Sequence, residues 1–234
     1  MGSNYSEISQ RLSAYRKALN MSQEEMGRQF AVNQSHYYKL ETGVKIISYN
    51  SMEQFQKNGG DLCYLITGEK YQHGITDEYI GRCRTQTGRT ETMKLILWLT
   101  EQGILLHSGN TEELDEKMWK HIKIAEREKE DASVWKTIRT IENLSQIQMA
   151  EKLDINIKRY RRIEERKVGP DAEILRILYR EFGYSPLVIL DRESYYMNEI
   201  NSVWDSFPEN IRKYLNRLLD ENIKLIDRYE SMQT

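Results

Sequence analysis

Proline is scarce in this chain, with 3 in 234 residues, and its 13 glycines rarely cluster. Both residue types interrupt helices, so their thin distribution leaves room for long 3.6-residue periodicities. No stretch sustains period-two alternation, and the fold class expected is all-α. Cysteine is scarcer still: Cys63 and Cys83 cannot build a disulfide framework, and no Cys/His cluster has the spacing of a zinc site. They read as buried thiols in a reducing cytoplasm. Long apolar runs are missing. Nothing approaches the roughly 18 residues that a membrane span needs, and the N-terminus has no basic, apolar and small-residue series of a signal peptide. A cytoplasmic protein is expected. A mean hydropathy of -0.72 and 30% charged residues agree with that.

An excess of one charge is lacking as well. With 34 Lys+Arg against 36 Asp+Glu the net charge is -2, which at face value argues against a nucleic-acid partner. Enzyme signatures are also missing: there is no Gly-rich phosphate loop after a strand, no nucleophile elbow and no His-Glu-x-x-His. The four histidines, His36, His73, His107 and His121, have no evident partners. Paired carboxylates such as Glu112 and Glu113 sit at a helix start, where the macrodipole explains them. No enzyme, no metal and no cofactor is expected. At about 100–200 residues per domain, the length allows one large domain or two small ones.

Internal repetition decides between these. The run from Tyr15 to Met26, with Arg16, Leu19, Asn20, Ser22, Gln23 and Met26, recurs 123 positions later as Ile138 to Met149. There Arg139, Asn143, Ser145, Gln146 and Met149 take the corresponding places. The match continues without a gap at Phe30 and Leu153, Val32 and Ile155, Asn33 and Asn156, Tyr37 and Tyr160, Leu40 and Ile163, and Glu41 and Glu164. The chain holds two copies of one module of about 60 residues.

Each copy predicts a run of short helices. Ser22 with Glu25, and Ser145 with Gln148, have the spacing of a capping box. The helix they open carries Met26 and Phe30, or Met149 and Leu153, on one face. After a short turn at Val32 or Ile155, Asn33 and Asn156 cap a second helix, with Tyr37 and Leu40, or Tyr160 and Ile163, facing inward. Two short helices joined by so short a turn make a helix-turn-helix.

On these residues both copies resemble the Cro/cI-type (XRE-family) helix-turn-helix domain of phage repressors and related bacterial regulators. The first copy also matches at Glu41-Thr42-Gly43 and at Leu62-Cys63-Tyr64-Leu65-Ile66-Thr67-Gly68, the second at Pro170, Ile174, Leu175, Leu178 and Phe182-Gly183-Tyr184-Ser185-Pro186-Leu187. The resemblance implies two lambda-repressor-like DNA-binding domains of about five short helices each, at residues 7–68 and 132–191. A helical connector at 69–131 joins them, and a helical segment at 192–234 follows. Departures exist. Ala31 and Asp154 replace the glycine usual in the turn, where a left-handed alanine costs roughly 1 kcal/mol. Gly27 stands where Ala150 keeps the usual alanine, and Arg166 replaces the glycine that closes helix three, which predicts a longer or differently shaped loop there.

The resemblance assigns roles. Arg16 with Glu41, and Arg139 with Glu164, would bridge helix one to the end of helix three as partly buried ion pairs that fix orientation more than they stabilise. Helix three would lie in the major groove of double-stranded DNA with its N-terminal residues at base edges. That projects Gln34, Ser35, His36 and Lys39 onto the bases in the first copy, and Ile157, Lys158, Arg159 and Arg162 in the second. Gln34 suits adenine, whereas Lys158, Arg159 or Arg162 suits guanine. Gln23 and Gln146 would hold phosphates, positioning the module without reading sequence.

Split along the repeat, the charge changes meaning. Residues 7–68 hold 7 Lys+Arg and 6 Asp+Glu, and residues 132–191 hold 11 and 9. Residues 71–131 hold 9 and 12, and residues 192–234 hold 6 and 8. The modules are the basic parts. Residues 71–90, with three glycines and several threonines, read as flexible. The stretch 88–106 reads as a packed helix with Trp98 in its core, and Thr111 as the cap of another helix through Leu114, Met118, Ile122 and Ala125, with Trp119 in it. At the C-terminus Ile211, Leu215, Leu218, Asn222, Leu225, Tyr229 and Met232 follow a heptad with an Asn at one a position. This predicts a dimerisation helix or a helix pair rather than a helix simply docked on its own chain.

The expected function is a sequence-specific DNA-binding transcriptional regulator, homodimeric, with repression as the default. The alternative is a protein-interaction adaptor or antitoxin-like protein in which one helix-turn-helix binds protein. Ala31 and Arg166 are the features that favour it. A ligand-sensing regulator would need a pocket among the middle helices.

Overall fold

A computed structural model describes residues 5–70, 74–107, 133–190 and 198–232, and every regular element among them is an α-helix. The chain divides into two compact units, one of Met1–Tyr71 with Leu144–Asp191 and one of Gln72–Asn143 with Arg192–Thr234. The expected helix from Thr111 through Ala125, with Trp119, lies outside the described residues.

The first unit holds α1 (Ser6–Ala18), α2 (Gln23–Gln29), α3 (Gln34–Glu41), α4 (Tyr49–Lys57) and α5 (Leu62–Thr67). From the second copy it holds α9 (Gln146–Lys152), α10 (Ile157–Glu164), α11 (Ala172–Phe182) and α12 (Pro186–Leu190). The second unit holds α6 (Ile75–Ile80), α7 (Gln86–His107), α8 (Val134–Ile141), α13 (Asn198–Ser206) and α14 (Glu209–Ser231).

The first five helices close on Ile8, Leu12, Met26, Phe30, Tyr37, Leu40, Met52, Phe55, Leu65 and Ile66, all at most 1% exposed. Phe30 and Phe55 stack at 4.3 Å between centroids, and Tyr15 meets Phe55 edge-on. Arg11 donates to the carbonyls of Leu65 and Ile66 at 2.9 and 2.7 Å, meeting acceptors that the end of α5 leaves without a helical partner.

The backbone repeats as the sequence does. Left-handed residues fall at Asn20, Ala31 and Gly43 in the first copy and at Asn143, Asp154 and Arg166 in the second, each pair 123 positions apart. Arg166, at φ 59°, takes the conformation that Gly43 takes at 74°. The closing residue therefore has the same backbone in both copies, contrary to the differently shaped loop expected at Arg166. Ala31 likewise adopts the left-handed geometry that glycine would supply.

Within the first unit the two copies meet along a seam. The Ala172 amide donates to the Ile47 carbonyl at 3.0 Å, and Gly169 lies so close to Tyr49 that a Cβ added there would come within 2.2 Å of its ring. On the 123-residue offset, Ile47 matches Pro170, Tyr49 matches Ala172 and Ile46 matches Gly169. One contact thus pairs 47 with the counterpart of 49, and the other pairs 49 with the counterpart of 46. Near the middle, Cys63 Sγ and Ser185 Oγ lie 4.0 Å apart, and Ser185 matches Leu62. Such exchange of partners is the mark of an approximately two-fold contact between like surfaces. Tyr179 also donates to the Glu69 carboxylate at 2.5 Å.

In the second unit α7 and α14 pack around Met93, Ile96, Leu97, Leu99, Leu215, Leu219 and Ile223, with Trp204 and Phe207 from α13 and the turn after it. Gly103 fits beneath Phe207, where a Cβ would come within 2.6 Å of the ring. Two expectations are corrected here. Residues 75–80 and 86–90 are helical rather than flexible: buried Asn201 accepts from the amide and hydroxyl of Thr76 at 3.1 and 2.9 Å, fixing the start of α6. Trp98 is 53% exposed and not core. The α14 helix pairs with α7 through Leu215, Leu219 and Ile223, with Ile211 and Leu218 of the heptad partly buried against the same core. Leu225, Tyr229 and Met232 of that heptad are exposed, Met232 at 82%. A cleft of about 640 Å³, lined by Asp77, Glu78, Trp204, Asp205, Arg212 and Asn216 among others, opens beside α6.

Candidate nucleic-acid interface

The turn between α2 and α3, and that between α9 and α10, are built alike. Ser22 Oγ accepts from the Glu25 amide at 3.2 Å while the Glu25 carboxylate accepts from the Ser22 amide at 2.7 Å. Ser145 and Gln148 repeat this at 3.2 and 2.8 Å. The Asn33 and Asn156 side chains each accept from the amide three residues on, at His36 and Arg159, both at 2.8 Å. Each cap satisfies an amide that the first helical turn cannot. With Tyr37 and Leu40, or Tyr160 and Ile163, fully buried, the opposite side of α3 and α10 faces outward. Gln34, Ser35, Lys39, Lys158 and Arg162 are exposed on it; His36, Ile157 and Arg159 are half-buried.

Behind this face lies a polar network. Arg16 Nε donates to Glu41 Oε1 at 2.8 Å, and the same guanidinium reaches the Met21 carbonyl at 2.9 Å. Gln23 Nε2 donates to Glu41 Oε2 at 2.6 Å. Burial alone would raise the Glu41 carboxyl, but the bonds from Arg16 and Gln23 outweigh it and hold the group below the usual carboxylate range. In the second copy Gln146 donates to Glu164, which also receives the Tyr160 hydroxyl at 3.5 Å. Arg139 stands on α8, in the other unit. The amides of Gln23 and Gln146, expected at phosphates, are thus both engaged by the carboxylate that closes helix three, and Gln146 Oε1 further accepts from Arg161 Nε at 3.2 Å.

The two outward faces differ in charge. In the first copy burial and the nearby Lys45 and Lys39 push the His36 imidazole below its ordinary value, so it is neutral at pH 7 and Lys39 and Lys45 carry the charge. Lys45, in the loop after α3, was not expected from the sequence, which gave no signal beyond its sign. In the second copy Asn156, Lys158, Arg159, Arg162, Val168 and Gly169 line an open groove of about 420 Å³. Arg159 is not directed freely outward: Nη2 donates to Asp171 Oδ2 at 2.5 Å, while Asp171 Oδ1 accepts from the Ile174 amide at 3.1 Å as the cap of α11. Asp171 is the participant that sequence reasoning missed. It lies at a helix start, twelve residues beyond Arg159 in sequence.

Among the described residues no group of His, Cys, Asp or Glu is arranged to hold a metal ion, and no helix is long and apolar enough to cross a membrane. No family model, curated protein or solved structure matches the chain.

Proposed function

We propose that the chain is a sequence-specific double-stranded-DNA-binding regulator of the Cro/cI type that acts by occupying its operator, with repression as the default. The observation that carries this reading is the duplication: two helix-turn-helix elements with matched caps and matched left-handed turns, in one compact unit, each turning a polar or cationic helix face outward. In motifs of this geometry the second helix enters the major groove and places its N-terminal side chains at base edges. Gln34 then suits adenine, and Lys158 and Arg162 suit guanine N7 and O6. Because the two faces differ, one chain reads two unlike half-sites, about 34 Å apart if they follow one helical turn. The adaptor reading drew on Ala31 and Arg166, and both residues keep the backbone that glycine would have there.

A modest positive charge per module predicts that affinity rests on a few phosphate contacts and on engaging both modules. A second copy is proposed as a further partner, through the exposed Leu225, Tyr229 and Met232 of α14. The reading is tested by selecting duplexes from a random pool and repeating the titration with Lys39→Ala and Arg162→Ala separately. Each substitution is expected to weaken binding and to relax selection in one half of the site only. Loss in neither half overturns the assignment of both faces.

A further inference from the structure

We propose that Arg159 is a positioning residue and not a base reader: through Asp171 it locks α10 to the seam between the two modules and so sets the separation of the two reading helices. The inference rests on the DNA-reading proposal for its functional half and on geometry alone for its structural half.

The connection is short and continuous. Arg159 projects from the first turn of α10 and donates to Asp171 at 2.5 Å. Asp171 caps α11, and the next residue, Ala172, donates its amide across the seam to the Ile47 carbonyl at 3.0 Å. Two residues before Asp171, Gly169 rests on Tyr49, again across the seam. One ion pair therefore joins the helix proposed to read bases to the strip of chain on which the two copies meet. The Asp171 side chain is 17% exposed and that of Arg159 41%, so the pair is sheltered on the carboxylate side. The Nη2 end of the guanidinium is thereby held at Asp171, at the edge of the groove that Lys158 and Arg162 also line. The lock is one-sided. The matching positions in the first copy are His36 and Ser48, an imidazole near Lys39 and Lys45 and a hydroxyl that caps α4.

A positioning role and a reading role make opposite predictions for Asp171. If Arg159 reads DNA directly, removing the carboxylate frees it, and binding is unchanged or tighter. If Arg159 acts through the lock, losing either partner has the same effect. Asparagine keeps the helix cap, so Asp171→Asn isolates the charge from the folding of α11.

The test uses the full chain with Arg159→Gln, Asp171→Asn and the double variant, measured on duplexes whose half-sites are set at the selected spacing and at two base pairs longer. Each single variant is expected to lose about tenfold affinity at the selected spacing and much less at the longer one. The double variant should be no worse than either single one, because both remove one interaction. A merely stabilising pair would not change the dependence on spacing. Arg159→Gln weakening binding at every spacing, with the salt slope reduced by about one while Asp171→Asn has no effect, would overturn the proposal and make Arg159 a DNA contact. A second readout needs no DNA: exchange of the Ala172 amide should accelerate by about tenfold in either variant. Unchanged exchange refutes the lock even if the chain binds DNA, and failure of the unmodified chain to select any duplex refutes the DNA reading whatever the amide does.

Discussion

Replacing Ala31 with glycine should stabilise the first unit. Ala31 ends the turn after α2 at φ 54°, in a region where an L-residue costs about 1–2 kcal/mol relative to its preferred backbone. Glycine removes that cost but widens the unfolded ensemble by about 0.4–1 kcal/mol. The net expectation is a gain of about 0.5–1 kcal/mol. Ala31 is exposed, so no packing is lost. Asp154, its counterpart at φ 53°, should gain less from Asp154→Gly, because aspartate tolerates the left-handed region better than alanine. The reciprocal change is Gly43→Ala, at φ 74° with the new Cβ 3.4 Å from Ser9 Oγ, which should cost at least about 1 kcal/mol. Urea unfolding followed by circular dichroism measures both through the shift in midpoint at constant m. Since Ala31 and Gly43 share one unit, both shifts must appear in the same transition. A destabilising Ala31→Gly, or a neutral Gly43→Ala, would show that the turns are not left-handed in solution, and the structural equivalence of the two copies would fail with them.

Two further outcomes follow from the packing and the polar network. Glu41 is held below the usual carboxylate range when folded, so it contributes stability that is present above its unfolded value of about 4.3 and is lost as pH falls through the lowered folded one. Glu41→Gln should flatten the acid side of the stability-pH profile of the first unit; an unchanged profile would place the acid sensitivity elsewhere. In α14, Leu219→Ala should cost about 2–5 kcal/mol, because Leu219 is fully buried. Leu225→Ala, at a residue 62% exposed, should cost under about 0.5 kcal/mol in dilute protein. If the two costs were reversed in a denaturation experiment, the heptad face and not the docked face would be the one that packs.

What could be read from the sequence was what local chemistry and repetition encode. Ser22, Ser145, Asn33 and Asn156 announce their caps because a hydroxyl or amide three residues before an orphan amide has one obvious use. Arg16 and Glu41 stood out because the same pair recurs at the same separation in the second copy. The seam was illegible, since Ala172 and Ile47 meet through backbone atoms that no side-chain pattern marks. The capture of Arg159 by Asp171 was hidden for a related reason: whether two charges twelve residues apart meet depends on the path of the loop between them. Gln23 and Gln146, which the resemblance assigns to phosphates, meet carboxylates that lie 18 residues on in sequence. In α14 the apolar residues cover so wide an arc that two registers share Leu215, and only packing against α7 selects the one through Leu219 and Ile223. Order at residues 75–80 depends on Asn201, 125 residues beyond Thr76.

The most direct measurement is the equilibrium binding of the full chain to duplexes selected from a random pool, followed across a series of salt concentrations. The DNA-reading proposal predicts a selected site with two unlike halves about one helical turn apart, and an affinity that falls steeply and log-linearly with salt. A pool that yields no preferred sequence, or binding that salt does not weaken, would contradict it.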